Sequence, residues 1–215
     1  MGKTAVVIGA TGLVGRALVD QLVGIEAITK VVTLTRRPAY HDAEKVENQV
    51  VDFDRLEDYA DYFTADMLFS CLGTTLKQAG SIQAQRKVDL DYQLNAAKLA
   101  LKQGVSHYLL VSSSGANANS RNAYLCMKGE LEDRIKALPF PRTSLFQPSL
   151  LLGARADFRF GEVLASLLSP VLLVLPWLRR YRPIKGTEVA IKMAQVSQSD
   201  GSGLAVFALQ DVFVE

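Results

Sequence analysis

The 215-residue chain contains few of the residues that mark metal sites or disulfide frameworks. It has two cysteines, Cys71 and Cys126, and two histidines, His41 and His107. Neither cysteine has a neighbouring CxxC or CxxH pattern, so the sequence predicts no metal site and favours two free thiols within apolar elements. Neither histidine has a partner constellation nearby, so structural or surface roles are favoured over catalysis.

A strong excess of charge of one sign is also missing. The 24 lysines and arginines nearly balance the 22 aspartates and glutamates, which leaves a formal net charge of +2. Proteins that bind nucleic acid usually carry a clustered basic surface. We therefore expect no nucleic-acid partner.

The sequence has no long apolar run free of proline. The stretch VLASLLSPVLLVLPWL, residues 163–178, is interrupted by two prolines and is shorter than the roughly 20 residues of a spanning helix. The N-terminus enters a strand pattern without an apolar region before a cleavage site, so we expect no signal peptide. These features predict a cytoplasmic protein without a transmembrane segment, in which residues 163–178 form core or an apolar flap.

Strand patterns alternate with helical patterns over the first 153 residues. The predicted strands are TAVVIGA, KVVTLTR, NQVVDFD, DMLFSCLG, SHYLLVSSS and RTSLFQPSLLLG. Several are continuous apolar runs, as strands buried on both faces must be. A long helix is predicted over residues 82–103, because its apolar positions recur every three and four residues. This alternation predicts an α/β fold with a Rossmann-type, doubly wound parallel sheet.

The regular alternation ends near residue 153. We therefore predict a Rossmann domain over residues 1–153 and a small C-terminal appendage over residues 154–215. This substrate-side part is expected to pack against the carboxyl ends of the main sheet. Within it, TEVAIKMAQVSQ predicts a helix and GLAVFAL predicts a last strand.

A glycine-rich turn, IGATGLVG, joins the first strand to the first helix. Its glycines are spaced three apart, which permits a tight turn, close approach of a pyrophosphate and close helix packing. The amides at the helix N-terminus then favour phosphate oxygens. A turn without a ligand is the alternative. The residues assigned to a dinucleotide here are Gly9, Thr11, Gly12, Leu13, Val14 and Gly15.

The end of the second strand distinguishes the two nicotinamide cofactors. An acidic residue at this point would bond the adenosine ribose, but the sequence is TLTRRPAY. Arg36 and Arg37 are suited to a 2′-phosphate, because guanidinium groups make forked, charge-assisted bonds. We therefore expect NADP(H) rather than NAD(H), unless both arginines are solvated surface residues. The fold further assigns to the cofactor site Asp52, Phe53, Cys71, Leu72 and Gly73.

Two Tyr-x-x-x-Lys patterns occur in the chain. Tyr124 and Lys128 lie on the helix after the fifth strand, where residues four apart share one face. The second copy, Tyr181 and Lys185, has Pro183 inside it, which a helix tolerates poorly. The first pair is the candidate for proton transfer, since an ammonium group favours the deprotonated form of a nearby phenol. A half-buried structural tyrosine is the alternative.

Several of these motifs occur together in one known family. GATGLVG, SCLGTTLKQAG, VDLDYQLNAAKLA, HYLLVSSSGAN and YLCMKGELE resemble the atypical short-chain dehydrogenase/reductases. Within that family they are especially similar to the subgroup that contains the human Tat-interacting oxidoreductase-like protein. The resemblance covers most of the chain up to about residue 153.

The resemblance implies an NADP(H)-binding Rossmann domain with a Ser-Tyr-Lys group beside the nicotinamide. Tyr124 and Lys128 match the tyrosine and lysine, and the serine is Ser113 or, one position on, Ser114. Two positions depart from the family pattern. Asp89 stands where many relatives carry asparagine, and Gln147 precedes Pro148 where many carry arginine. Lys128 and Pro148 are also assigned to the cofactor site, with Lys128 expected to bond the nicotinamide ribose.

The expected function is an NADP(H)-dependent oxidoreductase that acts on a small carbonyl or alcohol substrate, with Tyr124 as the acid/base. Two alternatives stay open. One is a nucleotide-sugar epimerase or dehydratase, and the other is an NADPH-binding sensor that acts through a protein partner. The sequence leaves open whether the chain forms a homo-oligomer.

Overall fold

The computed structural model describes residues 2–152 and 182–213, which form a sheet with helices on both faces. The strands are β1 (Lys3–Ile8), β2 (Ile28–Thr35), β3 (Val46–Val50), β4 (Met67–Ser70), β5 (His107–Val111), β6 (Arg142–Gln147), β7 (Leu151–Leu152), β8 (Ile184–Lys185) and β9 (Gly203–Ala208). The α-helices are α1 (Leu13–Val23), α2 (Leu76–Ala79), α3 (Ile82–Arg86), α4 (Tyr92–Lys102), α5 (Ala123–Lys136) and α6 (Gly186–Gln198). Two 3₁₀ segments, Phe53–Phe63 and Leu209–Val212, and one π-helical segment, Lys87–Asp91, complete the described elements.

The main sheet has seven strands in the order β3-β2-β1-β4-β5-β6-β9, and every neighbouring pair is parallel. The strand order reverses between β1 and β4. In such open sheets a crevice for ligands forms at the carboxyl ends of the strands on either side of the reversal. The predicted doubly wound Rossmann-type sheet is confirmed.

Helices cover the sheet on both faces, which explains the continuous apolar strands. Successive side chains of a strand point to opposite faces. Ala5 and Val7 of β1 therefore join the core beneath α1 and α6, while Val6 and Ile8 join the core beneath α4 and α5. All four side chains are fully buried.

The helix predicted over residues 82–103 is present but not uniform. It consists of α3, the π-helical segment and α4 in direct succession. The predicted sixth strand is shorter than expected, because β6 ends at Gln147 and Pro148 has no N–H to donate to a ladder. Leu151 and Leu152 pair instead with β8 in a separate two-stranded sheet.

The described end of the chain contributes a strand and a helix to the main domain. β9 pairs with β6 as the edge strand of the main sheet, and α6 packs against α1. β9 and α6 are therefore integral to the Rossmann domain, whereas β8 pairs with β7 beyond the carboxyl end of β6. The predicted division after residue 153 otherwise stays a prediction.

The apolar stretch 163–178 and Tyr181 lie outside the described residues, so the predictions on them are not addressed. Lys185 ends β8 and precedes α6, and its amide donates to Glu188 (3.0 Å). Within residues 2–152 and 182–213, no helix is long and apolar enough to cross a membrane.

Candidate active site

The glycine-rich turn joins β1 to α1, and at its glycines a side chain would clash or is absent from the helix cap. Gly9 has a positive φ of 80°, and a Cβ there would lie 2.4 Å from the backbone of Cys71. A Cβ on Gly15 would lie 2.2 Å from the Gly9 carbonyl oxygen. Gly12 caps α1 without a side-chain hydrogen bond. The first-turn amides of α1 are thus available to a ligand, as a bound diphosphate requires.

A pocket of about 460 Å³, here called the glycine-loop pocket, lies at the carboxyl ends of β1, β2 and β4. Among the described residues that line it, Arg36 is the sole charged side chain. Eight of the residues that the sequence assigned to the cofactor line this pocket: Gly9, Thr11, Gly12, Arg36, Phe53, Cys71, Leu72 and Gly73.

Asn48 on β3 holds the loop that carries Arg36, and the sequence analysis did not identify it. Its amide nitrogen donates to Thr33 Oγ1 and Thr35 Oγ1, both at 2.9 Å. Its Oδ1 accepts from the amide of Ala39 (2.9 Å), while Thr35 Oγ1 donates to the carbonyl of Arg37 (2.7 Å). The loop after β2 is therefore anchored on both sides of Arg36.

Seven of the assigned residues do not line the glycine-loop pocket. Leu13, Val14 and Lys128 line the neighbouring pocket, Gly15 lies against the Gly9 carbonyl, and Asp52, Arg37 and Pro148 lie elsewhere. Asp52 is exposed and caps the following 3₁₀ segment, where its Oδ1 accepts from the amide of Asp54 (2.9 Å). Arg37 is exposed and is not among the residues that line the glycine-loop pocket. Pro148 lies on the far side of Tyr124, in a different pocket.

A middle pocket of about 150 Å³ adjoins the glycine-loop pocket, and both are bounded by Cys71, Leu72 and Gly73. Lys128 lies in its wall with its Nζ 3.2 Å from Oδ1 of Asp89. Both side chains are almost completely buried, at 3% and 1% exposure. The predicted site lysine therefore faces the pocket together with Asp89.

Opposing influences act on the charge of Lys128. Burial lowers the pKa of this ammonium, but the negative charge of Asp89, with Tyr124 and Glu132, outweighs it and holds the pKa above its ordinary value. Cys71, which is partly exposed in the same wall, stays a neutral thiol. Burial raises its pKa to about 12, against the opposing charge of Lys128.

Tyr124 separates the middle pocket from a third pocket of about 500 Å³, here called the serine pocket. Its side chain is 36% exposed, and the Nζ of Lys128 lies 6.0 Å from its ring centroid. Ser113, Ser114 and Pro148 line the serine pocket with Tyr124. The structure thus brings together the predicted tyrosine, lysine and both candidate serines.

Ser112, which the sequence analysis left out, borders both the middle and the serine pockets. Its hydroxyl donates to Glu132 Oε1 at 2.5 Å in a buried contact. Gln147 and Lys136 donate to the same carboxylate. The hydroxyl of Ser112 is therefore already used within the protein. Among the described residues, the hydroxyl of Ser113 makes only a long contact to the carbonyl of Ser114 (3.4 Å).

Gly129 allows α5 to approach the loop after β5. A Cβ on Gly129 would lie 2.1 Å from the amide nitrogen of Ala118 and 2.2 Å from the carbonyl carbon of Asn117. That loop begins at Ser112 and leads into α5. The close approach explains the glycine in YLCMKGELE and holds the candidate serines beside Tyr124.

The three pockets adjoin one another from the glycine turn to Pro148. Cys71, Leu72 and Gly73 join the first two pockets, while Ser112 and Tyr124 join the last two. The uncovered α1 amides, the guanidinium of Arg36 and the polar groups around Tyr124 fit the phosphates, ribose and ring of a nicotinamide dinucleotide.

Comparison with known proteins identifies the family. Residues 5–144 match the model of the NAD dependent epimerase/dehydratase family. The chain belongs to this family. Among its relatives, Protein HTATIP2 of Rattus norvegicus is 40% identical over 167 residues, which covers 76% of this chain and 69% of the relative. This relative agrees with the subgroup to which the sequence motifs pointed.

Fungal members of the family are also similar. Protein FMP52 of Candida glabrata is 42% identical over 164 residues, or 74% of this chain and 68% of the relative. FMP52-1 of Scheffersomyces stipitis is 37% identical over 213 residues, which covers 92% of this chain and 91% of the relative. Both are named as mitochondrial proteins. The prediction of a cytoplasmic protein is contradicted by these relatives and is withdrawn.

Several solved structures share the fold. The Bordetella bronchiseptica enzyme WbmH, in complex with NAD+, has a TM-score of 0.74 and 12% identity, and the match covers 97% of this chain and 76% of WbmH. The oxidoreductase ylbE of Lactococcus lactis has a TM-score of 0.67 and 16% identity, with 97% and 94% covered. At these identities the likeness establishes the Rossmann-type fold alone.

Proposed function

We propose that this protein is an NADP(H)-dependent oxidoreductase that acts on a small carbonyl or alcohol compound, with Tyr124 as the acid/base. The observation that carries the proposal is this row of adjoining pockets. It leads from an open glycine turn to a tyrosine that has a buried lysine beside it. A structural tyrosine would not need a charged lysine buried at its side.

The preference for the phosphorylated cofactor is supported by Arg36. It is the sole charged residue among the described residues that line the glycine-loop pocket, and no acidic side chain lies with it there. A carboxylate in this position would repel a 2′-phosphate, whereas a guanidinium attracts it. We therefore assign Arg36 to the 2′-phosphate and leave Arg37 at the surface.

The side chains around Tyr124 have separate tasks. Bound NADP(H) would supply hydride chemistry, which side chains alone cannot perform. Tyr124 gives or takes a proton at its phenolic oxygen. Ser113 or Ser114 holds the substrate oxygen, since the hydroxyl of Ser112 is already bonded to Glu132.

The first experiment is a calorimetric titration of the protein with NADPH and, separately, with NADH. We expect NADPH to bind at least about tenfold more tightly, which corresponds to about 1.4 kcal/mol. Arg36→Asp should erase that preference, and Arg37→Asp is the matched control that should keep most of it. Equal affinity for both cofactors in the wild-type protein would contradict the assignment.

A second experiment separates turnover from cofactor binding. Tyr124→Phe removes the phenolic oxygen but keeps the ring, so carbonyl reduction should fall by at least about 100-fold while NADPH affinity stays within a few-fold. Turnover that survives this change would remove Tyr124 from the role of acid/base. Absence of turnover on any carbonyl, combined with an effect of NADPH on affinity for a protein partner, would favour the sensor function instead.

An epimerase or dehydratase is the second candidate, because the family is described by those activities. Such an enzyme would bind a nucleotide sugar next to the cofactor. Titration with UDP-glucose in the presence of NAD or NADP tests this directly. Saturable binding with conversion of the sugar would favour the epimerase, and no binding would favour the oxidoreductase.

A further inference from the structure

Asp89 and Lys128 form a buried ion pair at the wall of the middle pocket. The Nζ–Oδ1 distance is 3.2 Å, and Asp89 as a whole residue is 0% exposed. No hydrogen bond of good geometry from the described part of the chain reaches this Oδ1. The contact is thus mainly electrostatic, and each charge depends on the other for compensation.

The charged groups that face Lys128 come from several elements. Asp89 lies on the π-helical segment, while Tyr124 and Glu132 lie one turn to either side of Lys128 on α5. Cys71, after β4, is a neutral thiol at physiological pH. Glu132 is already engaged by Ser112, Gln147 and Lys136. Asp89 is therefore the principal counterion of Lys128.

The second carboxylate oxygen of Asp89 binds a different part of the site. Its Oδ2 accepts from the amide of Thr74 at 3.0 Å. Thr74 belongs to the segment 71–75, which contributes residues to all three pockets. One carboxylate thus joins the helix that carries Tyr124 to the segment that lines the proposed cofactor site.

The backbone of Asp89 is itself held in place. Its carbonyl accepts from Nε2 of Gln93 (2.9 Å), and Oε1 of Gln93 accepts from Ser70 Oγ of β4 (2.7 Å). All three residues are fully buried. Asp89 lies in the π-helical segment, a local irregularity that often occurs at functional sites. The side chain therefore has a rigid support from the central sheet.

We propose that Asp89 is a positioning residue of the reaction site: its carboxylate keeps the Lys128 ammonium charged and fixed beside Tyr124 and ties it to the segment 71–75. The part of this inference that concerns catalysis rests on the proposed function. An asparagine at this position would preserve the shape and the acceptor for Thr74, but it would leave a buried ammonium without its principal counterion. The charge of Asp89, and not its shape, is the feature that matters.

The direct test is NMR titration of Lys128 in protein labelled with ¹³C-lysine. In the wild-type protein Lys128 should still be charged at pH 10.4, about the point where a free lysine is half titrated. In Asp89→Asn its midpoint should fall by at least about one pH unit, because the effect of burial then loses its largest opposing charge. Asp91→Asn removes the same charge from the same segment and should leave the midpoint unchanged. A wild-type midpoint below that of free lysine, or equal midpoints in wild-type and Asp89→Asn, would overturn the proposal.

A second test does not require Asp89→Asn to fold. Lys128→Met leaves Asp89 buried and uncompensated, whereas Lys128→Met combined with Asp89→Asn removes both charges. We expect the double variant to unfold at a higher temperature than Lys128→Met alone. The reverse order would mean that Asp89 does not depend on Lys128, and the ion pair would lose its proposed role.

Kinetics then separate this inference from the proposed function. NADPH affinity measured by calorimetry should stay within about threefold in Asp89→Asn, while kcat falls at least about tenfold and its pH profile shifts. An unchanged kcat and pH profile would overturn the positioning role. A wild-type protein that binds no nicotinamide cofactor would refute the proposed function, while the lysine titration would still decide whether Asp89 holds the charge of Lys128.

Discussion

The side-chain amide nitrogen of Gln147 lies 2.8 and 2.9 Å from the two carboxylate oxygens of Glu132. This contact joins the carboxyl end of β6 to α5, and Ser112 at the end of β5 donates to the same carboxylate. Glu132 is 2% exposed, so its charge is buried among donors. The network holds two strand ends against the helix that carries Tyr124 and Lys128.

Glu132→Ala should destabilise the protein by about 2–4 kcal/mol, because it leaves the donors of Ser112 and Gln147 unsatisfied. Urea unfolding measures this loss. Asp133→Ala is the matched control, since its side chain is 65% exposed and makes only a 3.8 Å contact with Lys136. It should change the free energy of unfolding by less than about 0.5 kcal/mol. Similar losses in both variants would show that the buried network adds little.

Gly129→Ala should destabilise the fold although alanine favours helices by about 1 kcal/mol. The added Cβ would overlap the backbone at Asn117 and Ala118, and overpacking of this kind costs about 1–3 kcal/mol. Thermal unfolding provides the measurement. Gly24→Ala is the control, because its nearest new contact is 3.4 Å from Gln21. A Gly129→Ala protein more stable than wild type would contradict the close approach of α5 to the loop.

Acid should destabilise the protein partly through His107. Burial, together with the charges of Arg142 and Lys3, lowers the pKa of its imidazole to about 3, and its Nε2 lies 2.9 Å from Ser144 Oγ. The unfolded chain takes up this proton near pH 6.5, so the contribution is fully present above that pH and is lost as the pH falls towards 3. For this one group, the free energy of unfolding can change by at most about 1.4 kcal/mol per pH unit.

Urea unfolding from pH 7 to pH 4 measures this loss. His107→Gln should show a flatter dependence of stability on pH than the wild-type protein, and His41→Gln at the surface is the matched control. If the free energy of unfolding depends on pH in the same way in the wild-type protein and in His107→Gln, His107 takes up no proton on unfolding.

Asn48→Ala should weaken NADPH binding more than NADH binding. The change releases the anchors at Thr35 and Ala39, so the Arg36 loop loses its fixed position. We expect a loss of about three- to tenfold in NADPH affinity, or about 1 kcal/mol, measured by calorimetry. Gln49→Ala, on the opposite face of β3, is the control. Equal losses for both cofactors would indicate a general loss of structure and not a loss of 2′-phosphate recognition.

The candidate site was predictable where its signal is local in the sequence. Gly9, Gly12 and Arg36 follow strand ends that periodicity identifies, and Tyr124 and Lys128 share a helix face by their spacing. The serine was not predictable to the residue, since three consecutive serines differ only in which partner each side chain faces. Ser112 faces Glu132, which in the sequence lies in a charged run typical of a solvated helix surface.

The sequence by itself determined the α/β alternation, the parallel sheet, the glycine turn and the family, because each depends on residue type and short-range spacing. Only the tertiary structure decided that β9 completes the main sheet, that Asn48 holds the Arg36 loop and that Asp89 is buried against Lys128. These relationships join residues that are far apart in the chain. The pairing of Asp89 with Lys128 also depends on burial, because two charges that stay in water interact only weakly.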